Sequence, residues 1–179
     1  MRGYCPCAGC QGHSGTIKFI PGGELEARFK PGGDLELRNI EQVGSYHEIY
    51  QRPRNVFVAG FLNRHVGTPP ISLIDARYLP PARHAGNAQV GIRPEDVEVS
   101  RDERADGVAG VVAGKLDLPM LSATILTVRV DEHEVYAQMP GEQSVVPGDR
   151  VWLTFRKYHL FDKQSGARLR SYPEPDAAA

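Results

Sequence analysis

The sequence predicts a mainly β protein: a small barrel, preceded by a short helical connector and a small Cys-rich β segment. Three observations carry that expectation. The 179 residues include 19 glycines and 14 prolines, which punctuate the chain too often for long helices. Between these breaks, apolar and polar residues alternate with the period of a half-buried strand. Helical signatures are confined to residues 40–63.

Near the N-terminus, Pro21-Gly22-Gly23-Glu24-Leu25-Glu26 returns as Pro31-Gly32-Gly33-Asp34-Leu35-Glu36. Pro-Gly-Gly is a turn signal and each copy leads into alternating residues, which predicts two hairpin strands. Two copies are too few for a solenoid. In the connector, Ser45 and Glu48 have capping-box spacing, so a short helix should run through Ile49 and Tyr50. It should stop before Pro53, which disfavours the helical conformation at Arg52. Asn55 can cap a second, almost wholly apolar helix through Val56, Phe57, Val58, Ala59, Phe61 and Leu62. Further on, Leu126, Val128 and Val130 share a face opposite Thr127 and Arg129. A turn at Asp131-Glu132-His133 leads into Val135, Ala137 and Met139, alternating with Glu134, Tyr136 and Gln138. Pro147-Gly148-Asp149 turns the chain again, and Val151, Leu153 and Phe155 alternate with Trp152 and Thr154. Tyr158–Phe161 reads as one more strand, closed by the loop 162–166, and the tail from Pro173 as disordered. Closing such strands into a barrel removes exposed edges.

Composition and missing motifs exclude several functions. Lys and Arg number 21 against 22 Asp and Glu, so the net charge is −1 and no basic field favours nucleic acid. No apolar run reaches the roughly 18–20 residues of a membrane span, and no signal peptide is visible, which points to the cytoplasm. The nearest approach to a phosphate-binding loop, Gly110-Val111-Val112-Ala113-Gly114-Lys115-Leu116, is one residue short. It also has Leu where a hydroxyl should hold magnesium. Neither His47-Glu48 nor His133-Glu134 completes a zinc-protease motif, and the glycine spacing of Gly12-His13-Ser14-Gly15 does not make a nucleophile elbow. A chain that catalyses nothing by itself is the expectation.

From Ile40 onward the chain resembles the C-terminal part of maltose-type ABC importer ATPases. The residues that carry this are Ile40–Gly44, Glu48–Pro53, Asn55–Leu62, Val90–Val97, Pro147–Val151, Leu160–Asp162 and Ser165-Gly166. Gly107–Leu121 departs from the family pattern. The resemblance implies that 40–63 ends a nucleotide-binding domain and that 69–170 is the transport-associated OB-fold (TOBE) domain, followed by a tail over 171–179. The Walker motifs, signature loop and switch histidine of that family precede this segment and are absent from the sequence. The implied role is therefore regulation and dimerisation, with transporter subunits or a twin as partners. No nucleotide is implied for this chain, and membrane association is only indirect, at the inner face.

Residues 1–44 resemble a different family, the gamma-butyrobetaine-hydroxylase-like N-terminal domain, through Arg2–His13 and Leu35–Gly44. Members with this cysteine cluster bind zinc through Cys-x-Cys-x2-Cys and a later His. Cys5, Cys7 and Cys10 match the three thiolates, while the later Asp-Gly-His turn is absent. The chain thus reads as a fusion of two incomplete pieces, with a zinc module or a functionless remnant as the alternatives to a transport-associated module.

Individual residues admit two readings each. Three thiolates within six residues suit zinc, and His13 is the nearest fourth ligand; a reduced thiol cluster is the alternative. Arg93, Glu95 and Asp96 suit a recognition site, although a turn with solvated charges is the commoner outcome. His159 reads as a strand histidine facing water. Trp152, on the polar side of its strand, is equally a partner anchor or a residue covered by the rest of the fold. Arg156-Lys157-Tyr158-His159 is the sole local hint of an oligonucleotide surface. Elemental analysis tests the metal reading: about one zinc per chain is expected, and a Cys5/Cys7/Cys10→Ser variant should lose it. Equal metal content in the two proteins would refute the site.

Overall fold

The computed structural model describes residues 3–4, 14–20, 24–30, 39–63, 69–79 and 87–173, with side chains from residue 41 onward except 62–63. Cys5, Cys7, Cys10 and His13 lie outside the described residues, as do both Pro-Gly-Gly turns, the strand expected after the second and the tail from 174. The chain divides into two units. One is Met1–Thr68 with Gly166–Arg168; the other is Pro69–Ser165 with Leu169–Ala179.

The first unit holds an antiparallel sheet in the order β1-β2-β3-β4, formed by β1 (Gly3–Tyr4), β2 (Ser14–Ile20), β3 (Glu24–Lys30) and β4 (Asn39–Ser45). Glu24–Lys30 is a strand, as its alternation predicts. Asn39–Ser45 corrects the expectation that the connector is helical from residue 40, because it pairs with β3 through a register shift at Ala27/Arg28. The helix begins only after Ser45, whose extended backbone (ψ 158°) marks it as the cap.

The predicted capping box is present. Glu48 N–H donates to Ser45 Oγ at 3.2 Å, and Ser45 N–H donates to the Glu48 carboxylate at 2.8 Å. These bonds hold the Glu48 carboxyl below its usual range. Helix α1 (Tyr46–Gln51) ends as expected before Pro53, and α2 (Val56–Asn63) starts after Asn55, whose Oδ1 accepts from Val58 N–H at 2.9 Å. The break between them is set from β4. Gln42 Nε2 donates to Arg52 O at 3.0 Å and Gln42 Oε1 accepts from Arg54 N–H at 2.7 Å, so one side-chain amide straddles Pro53. Gly166–Arg168 completes this unit: Val56 N–H donates to Gly166 O and Arg168 N–H to Arg54 O, both at 2.9 Å.

The second unit is the predicted β structure, built as two sheets. Strands β7 (Val97–Ser100), β8 (Val108–Leu118), β9 (Ala123–Val130), β10 (His133–Pro140) and β11 (Arg150–Phe155) form one, in the order β10-β9-β8-β11-β7. Strands β5 (Ser72–Asp75), β6 (Ala88–Ile92), β12 (Tyr158–Asp162) and β13 (Arg168–Tyr172) form the other, in the order β13-β12-β6-β5. Ile74, Val90, Val112, Leu126, Val128 and Leu153 are among the buried residues of a single core drawn from both sheets. Gly91 leaves room for the buried Phe161 ring, which a Cβ there would approach to 2.6 Å.

The segment that departs from the family pattern holds the main irregularity. A β-bulge between Val112 and Gly114 shifts the β8–β9 register by one residue. Before it, Val112 opposes Val128; after it, Lys115 opposes Leu126 and Asp117 opposes Thr124. Opposed residues share a face, so the bulge turns Lys115 and Asp117 toward the core side. Their charges are satisfied there: Lys115 Nζ lies 2.6 Å from Gln143 O and 3.2 Å from Asp117 Oδ2, and Thr124 Oγ1 lies 2.6 Å from Asp117 Oδ1. Leu116 is 58% exposed as a result. The 147–149 turn docks at the bulge, with Val112 N–H donating to Asp149 O at 2.9 Å and Gly148 N–H to Val112 O at 2.8 Å.

Gly110 leaves no room for a side chain against β9. A Cβ there would lie 2.6 Å from Val128 Cγ1 and 2.9 Å from the backbone oxygen of Arg129. Gly110→Ala should therefore cost about 1–3 kcal/mol by overpacking, read as a lower urea midpoint with an unchanged slope. A midpoint equal to the parent's would show that β9 yields without cost.

Candidate functional site

The Arg93–Asp96 segment forms a single 3-10 turn between β6 and β7. Pro94 occupies its first position, and Asp96 N–H donates to Arg93 O at 3.0 Å. The expectation of a turn with solvated charges is corrected at Arg93, whose side chain is buried at 3% exposure. Arginine is rarely so buried without partners, which distinguishes this turn from an ordinary solvated one.

Arg156, read from the sequence only as part of a hint of an oligonucleotide surface, bonds to this turn instead. Strand β11 pairs with β7 so that Phe155 opposes Val97, and the chain leaving β11 lies beside the turn. Arg156 N–H donates to Asp96 O at 2.9 Å, its guanidinium donates to Glu95 O, and its Nε lies 3.8 Å from Glu98 Oε1. No local signal marks Arg156 as a partner of Glu95, 61 residues away. Burial, with the Glu95 carboxylate adding to it, raises the Asp96 carboxyl above the usual aspartate range against the pull of Lys157, Arg156 and Arg93.

The other singled-out residues are placed differently from their sequence readings. His159 does not simply face water: it is half-buried, with Nδ1 2.8 Å from the Oγ of buried Ser171. Trp152 is half-buried under the Arg150 guanidinium, which sits 5.2 Å above its ring. Both residues sit on one face of β11, where a cation–π contact forms between residues two apart. Tyr158 is buried and stacks on Tyr172 at 5.0 Å, so it presents no open ring to a base. Among the described residues, no cluster of three His, Cys, Asp or Glu side chains is arranged to hold a metal, and no helix is long and apolar enough to cross a membrane.

The turn thus combines a buried cation, a partly buried acid and the exposed charges of Glu98 and Arg156. Exposed apolar residues lie elsewhere in the unit, with Met120 98% and Leu121 68% exposed in the turn between β8 and β9.

The raised Asp96 carboxyl has a signed consequence. Between the ordinary aspartate range and the raised value, the folded chain binds more protons than the unfolded chain, so this group's contribution to stability falls as pH rises. Asp96→Asn should raise the urea midpoint at neutral pH, with the gain shrinking as pH falls from the raised value to the ordinary aspartate range. A lower midpoint at neutral pH would show that the carboxylate stabilises the turn.

Residues 90–161, from β6 to β12, match the family model described as the TOBE domain. An ABC transporter ATP-binding protein of Sinorhizobium fredii, y4oS, is 32% identical over 153 residues, covering 73% of this chain and 38% of that protein. The alpha-glucoside transport ATP-binding protein AglK of Rhizobium meliloti is 30% identical over 150 residues, covering 69% of this chain and 40% of its own length. The multiple sugar-binding transport ATP-binding protein MsmK of Streptococcus mutans is 31% identical over 163 residues, covering 73% and 41%. The chain spans about two-fifths of the length of these relatives. Residues 90–161 are a TOBE domain with an OB-like fold, and the chain's relatives are ATP-binding proteins of ABC transporters.

Proposed function

We propose that this chain supplies the C-terminal regulatory and dimerisation part of a sugar-type ABC importer ATP-binding protein. It acts at the cytoplasmic face of the membrane through contact with transporter subunits or a twin, and it does not hydrolyse ATP itself. The observation that carries this reading is the TOBE match over 90–161, together with relatives that match more than two-thirds of this chain. The Arg93–Asp96 turn with Arg156 supports it, because it offers exposed charge for contact.

A second element rests on the sequence alone. The spacing of Cys5, Cys7, Cys10 and His13 favours an N-terminal zinc module of the gamma-butyrobetaine-hydroxylase-like type, which would make the chain a two-part protein.

A chimera tests the main reading. The matching C-terminal segment of AglK is replaced by residues 40–173 of this chain, and alpha-glucoside uptake is compared with AglK and with AglK lacking that segment. Uptake well above the truncated protein is expected. Uptake no better than the truncated protein, or ATP hydrolysis by the purified 179-residue chain, would overturn the proposal.

A further inference from the structure

The two sheets of the second unit meet along an edge that is closed by side chains. Among the described residues, β5 ladders only with β6, and β10 only with β9, so each is the edge of its sheet. One bond stands where a ladder would run: Tyr136 N–H of β10 donates to Ser72 Oγ of β5 at 2.9 Å, and Ser72 is buried. An edge strand ordinarily needs a partner or cover for such groups.

Beyond the end of this seam lies a second group of side chains. The 3-10 turn Ala76–Tyr78 follows β5, and Asp131-Glu132 joins β9 to β10. Tyr78 Oη donates to Asp131 Oδ2 at 2.6 Å; Arg77 donates to Tyr78 Oη at 2.9 Å and to Glu132 Oε1 at 3.0 Å. The His133 ring meets Tyr78 edge-on at 5.9 Å. Asp131 holds this geometry at φ 49°, a conformation that costs a non-glycine residue free energy. These groups are substantially exposed, with Arg77 at 56% and Asp131 at 65%, so each bond is weaker than a buried ladder bond.

We propose that the β5–β10 seam is a conformational device that opens locally while the ladders stay closed, with Arg77, Tyr78, Asp131 and Glu132 acting as the clasp that sets how often it opens. Opening releases Tyr136 N–H from Ser72 and uncovers two strand edges at once. The device is independent of whether the unit serves an importer.

Hydrogen exchange by NMR on the full chain, with wild type and Tyr78→Phe compared, tests this. The Tyr136 amide should exchange about tenfold or more faster than the β8–β9 ladder amides, because a single hydroxyl holds it where ladder carbonyls hold the others. Tyr78→Phe should speed Tyr136 several-fold further and leave the β8–β9 ladder unchanged. Asp131→Asn, which keeps the turn and removes the charge, should act in the same direction. Tyr136 protected as well as the ladder, or both variants speeding all amides equally, would show that the seam opens only with global unfolding.

Discussion

The one-residue bulge in β8 is the constraint on which the larger sheet depends. Strand β8 lies at its centre, pairing with β9 along one side and with β11 along the other. Its first half must send Val108 and Val112 into the core, and Gly110 must let β9 approach closely. Its second half runs past the pairing with β11, and there the bulge rotates the strand so that Lys115 and Asp117 meet Thr124 and the 140–143 loop. The exposed Leu116 follows from that rotation: the backbone irregularity, and not the composition of the strand, decides which side chains face outward.

The same logic governs the charged groups. Arg93 is drawn inside while Arg156 bonds the same turn from its exposed side, so one short motif holds one arginine buried and one exposed. Polar side chains take over where backbone ladders stop. Ser72 stands in for a strand partner, Gln42 for a peptide group, and Arg156 for a cap on the turn oxygen at Glu95. Each of these is a single side chain whose removal leaves backbone groups to find another partner.

Much of the architecture was legible because its signals are local. The Ser45–Glu48 box, the Asn55 cap and the alternation across 124–130 each rest on residues within one turn of helix or one strand, and all are present. The strand at Asn39–Ser45 was missed because its pairing with β3 is set by distant register and overrides the weak local pattern. Burial of Arg93, the His159–Ser171 bond and the Tyr78–Asp131 bond join residues whose proximity only the folded chain creates. The bulge was illegible for a related reason. Gly107–Leu121 departs from the family pattern, but Val108–Gly114 is apolar or glycine throughout, and nothing in that run places the extra residue at Ala113.

Gly166–Arg168 carries a consequence for how the chain is made. These three residues belong with Met1–Thr68, bonded to Arg54 and Val56 through the backbone and to Pro53 through Arg168 Nε at 2.9 Å. Those partners are separated by 115 positions for Arg168 and Pro53. On a ribosome the helix break at Pro53 emerges long before the segment that completes it, so the first unit waits, unfinished, while the intervening strands are synthesised. Its closure is among the slowest kinds of contact to form, because the loop that must close is most of the protein. Order in the early part of the sequence is thus scheduled by residues near its other end.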